Sequence, residues 1–285
     1  MTVINHPFGS YVPSHATLLI LGSFPPVSLG ADDFFYASRQ NQFWKIITRI
    51  YGAWLPSTWQ KQMFCEINRI AMADLIHSTR RAKNDSSDQN LEAASYTDIQ
   101  GILKQAPAIK RVVCTSTFVK ERFEKHFAGL IEMNSLEVIT LPSPSPRYAR
   151  MSFERKVEAY EKILTPTFTQ KVYTMLLTIP KGRVTTYKAI AEKIGCKAYR
   201  AVGQALNKNP FGIQNPVSSS AEQLTPVHNP PHSEMSVPCH RVISNDRTLG
   251  GFATGLKNKR RLLEREGIRF DCDERVCGDF IIDRL

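Results

Sequence analysis

The run Thr17-Leu18-Leu19-Ile20-Leu21-Gly22 decides the fold of the first half of the chain. It is short, apolar throughout and closed by glycine, which is how a strand buried on both faces of a parallel sheet reads. Arg111-Val112-Val113-Cys114-Thr115 and Glu137-Val138-Ile139-Thr140-Leu141 share that character. Between them lie helical patterns, the clearest placing Phe43, Ile46, Ile47 and Ile50 at i, i+3, i+4 and i+7 on one face. Strands alternating with helices predict an α/β layer fold around a mostly parallel sheet, with ligands beyond the carboxyl ends of the strands. A helix near Phe153 to Leu164 closes this region. Thr165-Pro166 then marks a boundary, because proline disfavours helix at the residue before it.

The second half is patterned differently. Tyr187 to Ile194 and Ala198 to Leu206 read as two helices joined at Gly195, the second with an apolar stripe of Ala198, Ala201, Val202, Ala205 and Leu206. That is helix-turn-helix spacing. Phe211 to Val237, rich in Pro, Ser, Asn and Gln, reads as an inserted loop without a period. Beyond it stand Pro238-Cys239-His240-Arg241-Val242, Gly250-Gly251-Phe252-Ala253 and Leu262-Leu263-Glu264-Arg265-Glu266-Gly267. A thiol beside an imidazole suggests nucleophilic chemistry, since the thiolate is the reactive form and nearby bases or cations lower its pKa. Glu266 falls at the end of a helix beginning near Lys257, where the helix dipole disfavours an acid. A specific role is therefore expected of it, against the alternative of an exposed acid balanced by Lys259 to Arg261.

The 285 residues suit two ordinary domains, drawn here as 1–164 and 165–270 with an acidic tail at 271–285. The net charge of +11 is uneven: +4 on the first domain, +10 on the second and −3 on the tail. Such a basic segment is the electrostatic footprint of a polyanion partner. No run of about 18 apolar residues and no leader at Met1-Thr2-Val3-Ile4-Asn5-His6-Pro7 predict a soluble cytoplasmic protein, nuclear if a eukaryote made it, with no membrane partner. Cys65, Cys114, Cys196, Cys239, Cys272 and Cys277 are too scattered for a disulfide framework and are expected as free thiols. His228 and His232 are expected to be plain loop residues, and no metal or cofactor is expected.

Four blocks of the second half resemble, in order and content, the catalytic domain of O6-alkylguanine-DNA alkyltransferases. They are Ile179 to Tyr187, Tyr199 to Leu206, Asn207 to Pro210 and Pro238 to Arg241. The resemblance implies a mostly α, winged helix-turn-helix domain in which Cys239 accepts the alkyl group. It makes His240 the base acting through a water and Glu266 the group that orients the imidazole. It further implies that Tyr187 donates to the leaving guanine and that Arg200 fills the gap left by the extruded base. Asn209 and Arg241 join the DNA- or base-contacting set. The thioether has no obvious route back to thiol, so each molecule is expected to act once.

In the first half, Gly22-Ser23-Phe24-Pro25-Pro26, Phe35-Tyr36, Arg39 to Trp44, Asp74 and Pro142-Ser143-Pro144-Ser145-Pro146-Arg147 resemble the hypoxanthine-DNA glycosylase branch of the uracil-DNA glycosylase superfamily. That implies a three-layer α/β/α parallel-sheet fold and removal of a deaminated base by hydrolysis of its N-glycosidic bond. It implies Asn41 as the catalytic residue, in a loop otherwise suited to capping the next helix. Gly22, Ser23, Phe24 and Tyr36 would meet the extruded base, and Ser143, Ser145 and Arg147 would meet phosphate or the gap. Two departures stand out, Pro26 where the family usually has glycine and Arg147-Tyr148 where a small residue and asparagine are common. The expected partner of the whole chain is double-stranded DNA carrying alkylated or deaminated bases, bound by a monomer. Competing readings are a uracil-specific glycosylase with the same alkyltransferase, a lesion-binding protein without catalysis, and a DNA-binding regulator.

Overall fold

The apolar run Leu18–Gly22 is buried along its whole length and Val112 to Cys114 likewise, so both sheet faces are covered there, whereas Glu137–Thr140, last in the sheet order, is exposed or half-buried rather than fully buried as its sequence suggests. The computed structural model describes residues 3–26, 33–80, 91–212 and 236–282. It divides into two compact units, Met1–Ile50 with Pro56–Thr165, and Tyr51–Leu55 with Pro166–Leu285. Most of the inserted loop, including His228 and His232, lies outside the described residues. None of the described helices is long and apolar enough to cross a membrane.

In the first unit the strands are β1 (Val3–Asn5), β2 (Leu18–Gly22), β3 (Ile70–Asp74), β4 (Ile76–Arg80), β5 (Glu92–Tyr96), β6 (Arg111–Cys114) and β7 (Glu137–Thr140). The helices are α1 (Phe43–Tyr51), α2 (Thr58–Asn68), α3 (Ile99–Gln105), α4 (Thr117–Asn134) and α5 (Phe153–Ile163). A parallel sheet runs in the order β3-β2-β6-β7, with Leu18 opposite both Ile70 and Arg111. On one face Leu19, Leu21, Ala71, Ala73, Val112 and Cys114 pack against Ile102 and Leu103 of α3 and Val119 and Phe123 of α4. The intervening Leu18, Ile20, Ile70, Met72 and Val113 are buried as well, so the opposite face is also covered.

A second, antiparallel sheet in the order β1-β4-β5 was not expected from the sequence. Its strand β4 continues directly from β3 through Leu75, and its Ile76-His77-Ser78-Thr79-Arg80 lacks the clean alternation that marks a half-buried strand. Pairing with β1 and β5 makes it a strand where local pattern does not.

The second unit holds α6 (Phe168–Leu176), β8 (Thr185–Thr186), α7 (Tyr187–Lys193), α8 (Tyr199–Asn207), β9 (Val242–Ile243) and α9 (Leu256–Arg265). Thr167 and Gln170 close a capping box on α6. Thr186 caps α7 by accepting from the Ala189 amide at 3.1 Å. Gly195, at φ +79°, turns the chain between α7 and α8, and the Tyr173 hydroxyl donates to the Ala205 carbonyl at 2.8 Å to seat α8 on α6.

The acidic tail is not an appendage. Val276 is fully buried with Val184, Ile243, Leu263 and Ile268, and Ile281 bridges Val184. The charged residues of 271–275 concealed the apolar positions that follow them. Val276→Ala should therefore destabilise this unit by about 2 kcal/mol through the cavity it leaves, read as a lowered urea midpoint of the full chain.

Candidate active site

Strand β9 pairs in parallel with β8, so the segment that leads into β9 lies beside the residues that lead into β8. That lead-in is a single 3-10 turn, Cys239–Arg241, in which the Arg241 amide donates to the Pro238 carbonyl at 3.0 Å. One side chain of the turn is the thiol, and the next two reach one carboxylate. His240 Nε2 lies 2.9 Å from Glu266 Oε1. Arg241 donates from Nε at 2.9 Å to Oε2 and from a terminal nitrogen at 2.8 Å to Oε1, and its other terminal nitrogen donates to the Ile179 carbonyl at 2.7 Å. The Gly182 amide adds a further bond to Oε2 at 3.3 Å.

Glu266 is the C-cap of α9, followed by Gly267 at φ +86°. Desolvation there works to raise its pKa. Hydrogen bonds from His240 and Arg241 and their charge outweigh that effect and hold it at about 2. The carboxylate stays ionised and takes the Nε2 proton of His240 as a hydrogen bond. Among the described residues nothing donates to the buried His240 Nδ1, so it is the basic end of the ring.

Cys239 is 7% exposed. Burial raises its thiol pKa, opposed by the Asn209 side chain and by the charge of Lys259, and the balance stays above the ordinary value. The resting group is a thiol, and ionising it needs a base. Asn209 Oδ1 accepts from the Phe211 amide at 3.0 Å, while its buried Nδ2 has no partner in hydrogen-bond geometry among the described residues and is the donor that favours the thiolate.

Lys259, 0% exposed, was not singled out from the sequence, where Lys259 to Arg261 read as a surface charge run. Its ammonium donates to the carbonyls of Val242, Leu249 and Gly251. Burial depresses it to about 8, with the Cys239 charge acting the other way. Its position four residues before the buried Leu263, on one helical stripe, was the available signal.

The thiol lies on the wall of a cleft of about 850 Å³, lined also by Tyr187, Arg200, Gly203, Ser244 and Gly250. Gly250, at φ +65°, lets the chain pass the Tyr187 ring: a Cβ there would stand 2.9 Å from Ser244 Oγ and 3.1 Å from the phenol. Burial, then the Cys239 charge, push the Tyr187 phenol up, so it remains a proton donor. Arg200 is exposed on the cleft wall. Arg241, expected on nucleic acid, is instead bound into the Glu266 pair. Its charge is spent on a carboxylate.

The first unit brings its predicted residues together at the carboxyl edge of the parallel sheet. Gly22 ends β2 and Asp74 ends β3, directly paired in register. The Tyr36 hydroxyl meets Thr115 Oγ1, just past β6, at 3.2 Å, and its ring stacks on Phe43 at 4.3 Å. One face of Tyr36 is thus taken by the protein, and Phe24, buried with Ile76 and Leu91, is core. Asn41 Oδ1 accepts from the Phe43 amide at 2.9 Å, and the Gln42 amide donates to the Pro144 carbonyl at 2.9 Å, which ties the start of α1 to the proline loop. Within that loop the Ser143 and Ser145 hydroxyls accept from the amides of Ser145 and Arg147. Arg147 is exposed, and Ser23 follows Gly22 in the edge loop. Missed by sequence reasoning was His6, which lies 3.0 Å from Asp74. Nothing in Asn5-His6-Pro7 distinguishes it locally. Among the described residues no three His, Cys, Asp or Glu side chains cluster as a metal site would need.

The family model described as 6-O-methylguanine DNA methyltransferase, DNA binding domain, matches residues 167–268. A methylated-DNA–protein-cysteine methyltransferase of Methanosarcina barkeri is 38% identical over 118 residues, 40% of this chain and 61% of that protein. A crystal structure of Mycobacterium tuberculosis OGT in complex with DNA is 37% identical over 35% of this chain and 50% of its own, with a TM-score of 0.27. The chain thus spans about three fifths or less of the length of these relatives. The solution structure of a candidate uracil DNA glycosylase from Methanosarcina acetivorans covers 58% of this chain and 100% of its own at 21% identity and a TM-score of 0.47. The weight rests on the sequence match over residues 167–268.

Because the Glu266 carboxyl is held below its unfolded value, its contribution to stability is fully present above about pH 4.5 and is lost as the pH falls toward 2. Urea midpoints measured between pH 5 and pH 2 should fall steeply for the native chain. Glu266→Gln should flatten that fall while lowering stability at neutral pH.

Proposed function

We propose that the second unit repairs O6-alkylguanine in DNA by moving the alkyl group to Cys239. The observation that carries this is the thiol at the wall of a cleft with a buried imidazole next to it, the imidazole itself bound to a carboxylate held ionised. Removing an alkyl group from oxygen needs a soft nucleophile at a saturated carbon, and sulfur supplies one. His240, with Nε2–H committed to Glu266, takes the thiol proton at Nδ1, through a water. The sulfur bonds to the alkyl carbon, the carbon–O6 bond breaks with its electrons on guanine, and Tyr187 donates a hydrogen bond to the departing base. Lys259 and the Asn209 amide favour the thiolate electrostatically. The product is a thioether, so the unit acts once per molecule.

In this reading α7 and α8 form the helix-turn-helix that binds DNA, its contact with phosphate favoured by the +10 charge of residues 165–270. A guanidinium exposed at the cleft, that of Arg200, suits the gap a flipped base leaves. After incubation with duplex DNA containing O6-methylguanine, mass spectrometry should find one added methyl on the peptide containing Cys239. An unmodified Cys239 with intact lesion DNA overturns the assignment. Lys259→Met should slow the transfer at least tenfold, measured as the single-turnover rate.

For the first unit we propose hydrolysis of the N-glycosidic bond of a deaminated base, hypoxanthine first, at the carboxyl edge of the parallel sheet. The supporting observation is the convergence there of Gly22, Tyr36, Asn41, Asp74 and the proline loop. Asn41 uses its carbonyl oxygen to cap α1, which leaves its amide N–H groups to meet a base or a water. Asn41→Ala should abolish release of hypoxanthine from deoxyinosine DNA and cost about 1 kcal/mol through the lost cap. Undiminished release would remove Asn41 from the reaction.

A further inference from the structure

Asp74 is 7% exposed, and its two carboxylate oxygens are treated differently. Oδ2 lies 3.0 Å from His6 Nε2. The other ring nitrogen, Nδ1, accepts from the Gly9 amide at 3.0 Å and from the Phe8 amide at 3.4 Å. A nitrogen that accepts two backbone N–H groups carries no proton, so the ring is the neutral Nε2–H tautomer and donates to Asp74. The imidazole is fixed further by aromatic neighbours, with ring centroids 4.7 Å from Phe8, 5.8 Å from Phe24 and 6.0 Å from Phe35.

Oδ1 has a different setting. A Cβ built on Gly22 would collide with it and would stand 2.9 Å from the Tyr36 hydroxyl oxygen, so the carboxylate is pressed against the end of β2 where only glycine admits it. Among the described residues, Oδ1 accepts no hydrogen bond and no Lys or Arg pairs with Asp74. Tyr36 gives its proton to Thr115, whose own hydroxyl donates to the Leu21 carbonyl at 3.2 Å. A buried carboxylate with one neutral donor and no cation is costly unless it serves a ligand. It lies at the strand ends, where ligands of such sheets bind.

We infer that Asp74, oriented by His6, is the electrostatic partner of the positive charge that develops on the sugar when the first unit cleaves an N-glycosidic bond. The inference rests on the glycosylase reading above and names a residue for it that Asn41 does not replace. In the step, the C1′–N bond breaks with its electron pair on the base, the water oxygen bonds to C1′, and the water proton passes to the departing base. Asp74 takes no part in the proton transfer. Its charge acts in a desolvated, aromatic-walled site, where a fixed charge does most for a transition state and needs no reorganisation.

The test compares the native chain with Asp74→Asn, which keeps the shape and an acceptor toward His6 but removes the charge. Single-turnover release of hypoxanthine should fall by about 100-fold or more. Binding should be compared on duplexes carrying a cationic pyrrolidine and a neutral tetrahydrofuran in place of the damaged nucleoside. The native chain should prefer the pyrrolidine, and Asp74→Asn should lose that preference while binding tetrahydrofuran as before, a change that a merely structural role would not produce. Release within threefold of native together with an unchanged preference overturns the inference and leaves the glycosylase reading standing. No release of any deaminated base by the native chain overturns both. Should Asp74→Asn fail to fold, His6→Gln, which keeps an amide donor, is compared with His6→Phe, which has none: retained release in the first and a loss of tenfold or more in the second supports the inference, and equal rates overturn it.

Discussion

The second unit depends on one carboxylate. Glu266 stands at the end of α9, where the helix dipole opposes an acid, and it binds two consecutive residues of the Cys239–Arg241 turn as well as the Gly182 amide. Remove it and three things lose their anchor together: the tautomer of His240, the Arg241 guanidinium and the turn that carries the thiol. Neither partner suffices alone. His240 and Arg241 together offset the burial of Glu266. An arginine that reads in sequence as a nucleic-acid contact thus shares a carboxylate with the neighbouring histidine.

The first unit is organised by an edge rather than by a single residue. Four parallel strands end together, and whatever follows each of them is delivered to one place. The glycine that closes β2 is required there by close approach, since Asp74 and Tyr36 fill the space a side chain would occupy. The two units solve the same electrostatic problem in different ways. One carboxylate is surrounded by donors and a guanidinium, so its charge is balanced. Among the described residues the other meets a single donor, the His6 ring.

Much of this was legible in the chain. The apolar runs at 17–22, 111–115 and 137–141 became β2, β6 and β7, and the 3.6-residue stripes became α1 and α8, because burial on a fixed face leaves a periodic trace. The antiparallel sheet left none: β4 has no clean alternation and is a strand only because β1 and β5 flank it. The tail left little, with its few core residues set among acids. Lys259 was misread because a charged residue inside a basic run resembles solvated surface, although three carbonyls receive its ammonium.

By itself, the sequence determined the element types, the basic character of the second half and the identity of the reactive groups, since nucleophile, imidazole and carboxylate are chemical properties of Cys239, His240 and Glu266. Tertiary structure decided what each group can do. Whether Arg241 meets phosphate or Glu266, whether Lys259 faces water or carbonyls, and whether His6 meets Asp74 across 68 positions are questions of which surfaces are brought together. Local pattern records which face of an element is buried. It does not record the partner on the other side, and in a desolvated site the partner sets the charge and the proton.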